Sequence, residues 1–239
     1  MKYAIVTGGT KGIGLGIAQM LLQEKYFVTI TYAHDEEAAL NCHSQLAHLS
    51  DKYEILKVNQ ANKDEMKHFA TLMLEKPSID CLILNAGSTL RKSLQETTDD
   101  DWEGIMQTNV NSNLFLIRDL YHKIPPHSRI VFIGSLMGIH PHGTSLAYGV
   151  TKSAVHALAL NLVKCFEGTG TTINAIAPGF VETEWQKEKP QEIRKNICNK
   201  TALKRFATVE EIADAVKFCL NNGFVNGSIL EISGGYSFK

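Results

Sequence analysis

Tyr3-Ala4-Ile5-Val6-Thr7-Gly8-Gly9-Thr10-Lys11-Gly12-Ile13-Gly14 begins as a short apolar run and passes into a glycine-rich turn. Tyr3 to Thr7 reads as a strand and Gly12 to Glu24 as a helix. Glycines between the two permit a tight turn and a close approach of backbone to ligand. The free N–H groups at a helix start favour a pyrophosphate. A bland strand-to-helix turn is the alternative, but both flanks that a dinucleotide site requires are present.

Strand-like and helical segments alternate through the rest of the chain. Phe27 to Tyr32, Tyr53 to Val58, Asp80 to Leu84, Arg129 to Ile133, Thr171 to Ile176 and Ser228 to Ile232 read as strands. Asp35 to Leu49, Lys63 to Glu75, Asp99 to Lys123, Ser145 to Phe166 and Val209 to Leu220 read as helices, the long one stopped by Pro125-Pro126, while Pro178 to Arg205 is less regular. Such alternation predicts an α/β fold, a single doubly wound Rossmann domain over residues 1–239 whose seven-stranded parallel sheet has helices on both faces. Ligands of such sheets bind at the carboxyl ends of the strands.

Composition narrows the partners. A net charge of -1 with interspersed signs leaves no footprint for nucleic acid or an anionic membrane. The five cysteines, Cys42, Cys81, Cys165, Cys198 and Cys219, are odd in number and widely spaced, as reduced thiols would be. Met1-Lys2 runs at once into Tyr3 to Val6, too short for a signal peptide, and no apolar run approaches the ~18 residues of a membrane span. The expectation is a cytoplasmic protein acting on small molecules.

Chemistry concentrates between Ile130 and Lys152. A buried strand, Ile130 to Ile133, leads to Gly134-Ser135 and then by a loop to Tyr148-Gly149-Val150-Thr151-Lys152. Residues i and i+4 on a helix lie about 6 Å apart, so Lys152 would sit beside the Tyr148 phenol. A fixed cation favours the phenolate and brings the group toward acid/base work. Ser135 would offer a second hydroxyl to the same substrate oxygen. Alone, the Tyr-x-x-x-Lys spacing also occurs on solvated helix faces. The second strand ends Thr31-Tyr32-Ala33-His34, with no carboxylate before Asp35 to bind a ribose 2′-hydroxyl. Lys11, otherwise an exposed lysine, is placed for a phosphate there, so NADP(H) is favoured over NAD(H). Asn85-Ala86-Gly87 suits approach of a flat ring and ties adjacent strands. Asn109 is a poor helix former in a long helix, flanked by Asn111 and Asn113, and reads on its own as a packing residue at a kink.

Together these residues resemble the short-chain dehydrogenase/reductase family over essentially the whole chain. The likeness is carried by Thr7 to Gly14, Asn85 to Gly87, Asn109, Ser135, Tyr148 with Lys152, and Pro178-Gly179. Within the family the chain is similar to 3-oxoacyl-acyl carrier protein reductases, on Pro178 to Thr183, Gly134 to Gly138, Leu203 to Phe206, Glu210 to Ala213, Asn226-Gly227 and Ser233 to Gly235. The resemblance implies that Tyr148 protonates the substrate carbonyl and Ser135 positions it. It implies that Lys152 holds the nicotinamide ribose and lowers the tyrosine pKa, and that Asn109 holds a water that resupplies protons. Thr7, Gly8, Thr10, Lys11, Gly12, Ile13 and Gly14 would hold the cofactor with Tyr32, Ala33, His34, Asn85, Ala86 and Gly87. Asn59 and Gln60 fall where the family contacts adenine, although Gln60 replaces a common aliphatic residue. Pro178, Gly179, Val181 and Thr183 fall at the nicotinamide end.

Residues 180–206 correspond to a variable substrate lid. Ser135, Met137, His142, Phe180 and Trp185 are the expected substrate contacts, with packing the alternative for Trp185 and a solvated loop for His142. His140 and His142 flank Pro141 without a third ligand nearby, so no metal is expected. The expected activity is NADPH-dependent carbonyl reduction with 3-oxoacyl thioesters foremost. The alternatives are a dehydrogenase of a small sugar, polyol or other secondary alcohol, and a non-catalytic cofactor-binding sensor. Neither Lys123 to Ser128 nor Glu167 to Thr169 offers a basic cluster for an acidic carrier protein. Apolar residues on more than one face of the two long helices, Leu114 to Ile117 and Leu158 to Leu162, together with the resemblance, imply a homotetramer.

Overall fold

The computed structural model describes residues 1–141 and 145–236, the side chain of Trp185 excepted. Seven strands form one sheet: β1 (Lys2–Val6), β2 (Tyr26–Tyr32), β3 (Tyr53–Lys57), β4 (Cys81–Leu84), β5 (Arg129–Ile133), β6 (Thr172–Pro178) and β7 (Ile229–Ile232). Their order is β3-β2-β1-β4-β5-β6-β7 and every pairing is parallel. Strand order reverses direction between β1 and β4, which opens a crevice at their carboxyl ends.

The central strands are largely apolar because both faces are covered. Ala4, Val6, Cys81, Ile83, Val131 and Ile133 face one core with α1 (Gly12–Gln23), α2 (Glu36–Ala47) and α9 (Val209–Asn221). The alternate residues Ile5, Leu82, Leu84, Ile130 and Phe132 face the other, with α3 (Lys63–Leu74), α5 (Ser112–Leu120) and α6 (Leu146–Leu162). Phe132 is fully buried, and its truncation to alanine would cost about 3–5 kcal/mol. Helix starts are set by side chains. Asp35 caps α2, Asn62 caps α3, and Thr98 and Thr208 form capping boxes with Asp101 and Glu211.

Two regions differ from the sequence reading. The long helix from Asp99 is α4 (Asp99–Met106), a π-turn (Gln107–Asn111) and α5, continued by a 3-10 turn to Lys123. The irregular stretch after Pro178 holds two helices, α7 (Glu184–Lys187) and α8 (Gln191–Lys200). Charge explains why periodicity missed α8: Gln191 to Lys200 buries only Ile197. At the opposite, amino-terminal rim of the sheet, the Arg129 guanidinium donates to the Leu220 carbonyl at 3.0 Å and to those of His127 and Ser128 at 2.8 and 2.9 Å. Among the described residues no helix is long and apolar enough to cross a membrane.

Candidate active site

β1 and β4 end side by side, and their loops are stitched together. Thr7 Oγ1 accepts the N–H groups of Asn85 and Ala86, both at 3.0 Å, while Asn85 Nδ2 donates to the carbonyls of Thr7 and Gly8 at 2.9 and 2.8 Å. The turn admits no larger residue at Gly14, where a Cβ would lie 2.4 Å from the Gly8 carbonyl oxygen. α1 then starts at Lys11 without a side-chain cap and with no acidic residue in its first turn, leaving its N–H groups and dipole facing outward.

A cavity of about 450 Å³ opens on this turn, lined by Gly8, Thr10 and Lys11, by Tyr32, Ala33 and His34 at the end of β2, and by Asn59, Gln60, Asn85, Ala86 and Gly87. Lys11 Nζ pairs with Asp35 at 2.5 Å, both groups exposed. Gln60 is turned inward, its Nε2 donating to Asn113 Oδ1 at 2.9 Å and to the Thr108 carbonyl at 3.2 Å. Asn59 likewise accepts from the Ala61 N–H and donates its backbone N–H to Glu65.

A second cavity, about 210 Å³, continues from the first past Asn85 and Gly87 to Ser135, Tyr148 and Lys152. Ile13, Pro178, Gly179, Val181 and Thr183 complete it, and Thr183 packs against Gly12. Ser135 follows β5 in extended conformation, and its Oγ accepts the Met137 N–H at 3.1 Å. That bond fixes the hydroxyl, which also hydrogen-bonds Tyr148. Lys152 lies one helical turn beyond Tyr148 on α6, buried, with Nζ donating to the Ile133 carbonyl at 2.7 Å and 5.7 Å from the Tyr148 ring centre. Burial brings its ammonium down to about 8. The phenol differs from expectation. Burial pushes it above the ordinary tyrosine range, opposed by the Ser135 bond.

Asn109 sits in the π-turn, as its poor helix propensity and the local kink anticipate. Its Oδ1 accepts the Ser88 N–H at 2.8 Å, and its Nδ2 donates to the Ser88 carbonyl and to Thr151 Oγ1, both at 2.9 Å. The side chain is thus fully committed to protein partners, while its carbonyl accepts from Asn113 at 2.7 Å. Thr151 passes the connection on by donating to the Tyr148 carbonyl at 2.8 Å. Sequence reading missed Thr151 and also His156, the next residue on the Tyr148-Lys152 face of α6. His156 Nε2 accepts the Ser135 N–H at 3.4 Å, and burial, then Lys152, lowers its pKa to about 4. Spacing alone would have flagged it.

A third cavity, about 160 Å³, adjoins Ser135 and Tyr148 on the side away from the turn and is lined by Met137 and Phe180. His140 reaches it as well, while the expected contact His142 lies outside the described residues, and of Trp185 only the backbone, in α7, is described. Arg91, Gln186, Lys189 and Tyr236 also line this cavity. The two cations come from segments far apart in sequence, which a search for a local basic cluster cannot see. Gln186 borders both this cavity and the second, and its Oε1 is buried with no hydrogen-bond partner among the described residues. An acceptor left so would cost about 1–3 kcal/mol and is suited to an amide N–H₂ or a hydroxyl. A cradle of backbone N–H groups, a channel flanked by small residues and an orphan acceptor together fit a nicotinamide dinucleotide.

The short chain dehydrogenase sequence profile matches residues 2–194. The chain belongs to that family. It is an oxidoreductase of the short-chain dehydrogenase type, with the site residues of its sequence pattern assembled around one crevice. The 3-oxoacyl-acyl-carrier-protein reductase FabG of Haemophilus influenzae is 30% identical over 239 residues, covering 98% of this chain and 97% of its own. The short-chain dehydrogenase/reductase of Serratia marcescens BCRC 10948 superposes with a TM-score of 0.92 at 27% identity, over 99% of this chain and 98% of that one. BdcA, solved in complex with NADPH, gives 0.88 at 26% identity, over 98% and 93%.

Proposed function

We propose that this short-chain dehydrogenase is an NADPH-dependent carbonyl reductase, with 3-oxoacyl compounds and foremost their thioesters as substrates. The observation that carries the reading is the buried Tyr148 phenol, hydrogen-bonded to Ser135 where the second and third cavities meet. A bound nicotinamide would supply the hydride. Ser135, its lone pair engaged by the Met137 N–H, turns its O–H toward the carbonyl oxygen and orients it. Tyr148 releases its proton to that oxygen, and its raised pKa keeps it protonated until the oxygen gains negative charge. Lys152 lies behind the phenol and stabilises the phenolate that results, while Asn109 and Thr151 hold α6 against the loop after β4. Thr183 and the Gln186 acceptor would meet the carboxamide end of the cofactor.

Preference for NADP(H) is supported by the lack of a carboxylate before Asp35 and by the NADPH complex of BdcA. The Lys11–Asp35 pair does not oppose it, since an exposed pair is worth about 0–1 kcal/mol and yields to a phosphate. In the same reading residues 1–239 work as one unit whose segment 180–206 covers the substrate. The lid is pinned by Arg194, whose guanidinium grips Glu182 at 2.6 and 3.0 Å.

Loss of NADPH absorbance with a short 3-oxoacyl thioester, beside NADH and a panel of ketones and sugars, tests the assignment. Tyr148→Phe is expected to lower kcat by about 10²- to 10⁴-fold while cofactor binding, read by NADPH fluorescence, persists. A small loss in kcat would show that another group is the acid.

A further inference from the structure

Three buried amide side chains and one hydroxyl form a continuous line from the cofactor crevice to α6. Gln60, Asn113, Asn109 and Thr151 are each exposed by 5% or less. The line begins in the loop after β3, where Gln60 and its neighbours Asn59 and Ala61 border the first cavity. Both hydrogens of Gln60 Nε2 are used, one on Asn113 Oδ1 at 2.9 Å and one on the Thr108 carbonyl at 3.2 Å. Asn113 Nδ2 donates in turn to the Asn109 carbonyl at 2.7 Å. From Asn109 Nδ2 the bonds run through Thr151 Oγ1 to the Tyr148 carbonyl. Asn113 and Asn109 each accept at oxygen and donate at nitrogen, so neither amide can turn over without losing bonds on both sides.

The line crosses between α4 and α5 at the π-turn, Gln107–Asn111. N–H groups in such a turn reach back five residues, and side chains that enter the ladder shape the bulge. Here the Thr108 carbonyl takes the Ser112 hydroxyl at 2.8 Å as well as Gln60, and the Asn109 carbonyl takes Asn113. Ser112 and Asn113 belong to α5 itself. Gln60 reaches the turn from 48 residues away in the chain, and so ties it to the sheet. A satisfied polar network in a low-dielectric interior holds one arrangement and is costly to break in half.

We propose that Gln60 and Asn113 are positioning residues for the reduction, holding the π-turn so that Asn109 and Thr151 set the place of Tyr148. The Gln60 side chain then serves the turn and not the adenine of a bound cofactor. This rests on the carbonyl-reductase reading, in which Tyr148 is the proton donor. Misplacing a reacting group by about 1 Å costs up to about 10²-fold in rate, whereas the pyrophosphate cradle at Gly8 to Gly14 lies outside the line.

Gln60→Met, which keeps the length of the side chain, Asn113→Leu and the double variant test it. Each single variant strands a buried amide and should melt lower than wild type, and the double variant, with both amides gone, should recover part of the loss. The single-turnover rate of NADPH oxidation by a carbonyl substrate should fall about 10- to 10²-fold in all three. Binding of NADPH, read by fluorescence, and of 2′,5′-ADP, read by calorimetry, should stay within about twofold of wild type. Hydrogen exchange gives a readout that needs no turnover. The Ser88 N–H is held by Asn109 Oδ1 at 2.8 Å. Its protection should drop about tenfold or more in the double variant while the amides of α1 keep theirs. An unchanged rate in the double variant would leave the pair a stability element and overturn the proposal. Weakening of 2′,5′-ADP binding in step with the rate would make Gln60 an adenine contact and overturn it too, as would full protection at Ser88. If the wild-type protein reduces no carbonyl with either cofactor, the reductase reading fails and exchange at Ser88 still decides whether the line holds the turn.

Discussion

At Lys152 burial works against charge. Lowering its pKa from 10.5 to about 8 corresponds to about 3 kcal/mol of unfavourable burial at neutral pH. Lys152→Met removes that cost but strands the Ile133 carbonyl, at about 1–3 kcal/mol. The variant should therefore melt at or above the wild-type temperature at pH 7 while losing reductase activity. Between pH 8 and 10.5 the unfolded chain binds more protons than the folded one, so wild-type stability rises through that window and the variant's advantage shrinks. Melting curves at pH 7, 9 and 10.5 check this, and a constant difference would refute it. Lys11 lends itself to a second measurement. Lys11→Ala is expected to lower the NADPH to NADH ratio of kcat/KM about tenfold, and Asp35→Asn to raise it; no change in either would place the 2′-phosphate elsewhere. Such residues were legible in the sequence because their chemistry sits at fixed spacing, Tyr148 and Lys152 four apart and the glycines within one turn. Arg91, Lys189 and Gln186 were not, since two loops bring them together and no period records it.

Among elements, α6 and the β5 loop are fitted to each other through glycine. A Cβ at Gly134 would come 2.1 Å from His156 Nε2 and 3.1 Å from the Ile176 carbonyl, whereas one at Gly138 would come 2.7 Å from the Lys152 backbone. Gly134→Ala should cost about 1–3 kcal/mol, and His156→Ala in the same chain should recover part of it. Gly138→Ala should find less rescue, because with His156 Cε1 at 2.8 Å trimmed away the Lys152 backbone at 2.7 and 2.9 Å remains. Denaturant midpoints of the two single and two double variants decide it; equal rescue at both positions would mean that the Lys152 backbone is not the obstacle at Gly138. The π-turn at Asn109 belongs to this scale as well. Propensity marked the residue as ill suited to a helix, yet the extra residue in the turn depends on which carbonyl each N–H selects, and that follows from Asn113, Gln60 and Ser112. Helix α8 escaped notice for a related reason, being held by Arg194 to Glu182 rather than by an apolar stripe.

For the molecule as a whole, alternation of strand and helix foretold the parallel sheet, since only covered strands read as continuous apolar runs. Subunit assembly is less plainly written. Leu116, Ile117 and Ala159 are buried in the chain's own core, while Leu146, Val150 and Leu160 remain exposed on α6. We propose that this outer stripe joins subunits in a homotetramer; light scattering at micromolar concentration should give four times the 26.5 kDa chain mass, and a monomer would refute it. The Arg129 clasp has a consequence of another kind. Six residue steps, from Arg129 along β5 to Ser135, separate it from the chemistry by about 20 Å. A mutational survey should accordingly sort into two populations: changes around the clasp would alter yield and heat tolerance with turnover per folded molecule intact, and changes at the opposite rim would do the reverse. Engineering the enzyme for endurance and retuning what it reduces are then separate tasks, carried out at opposite ends of the same strands.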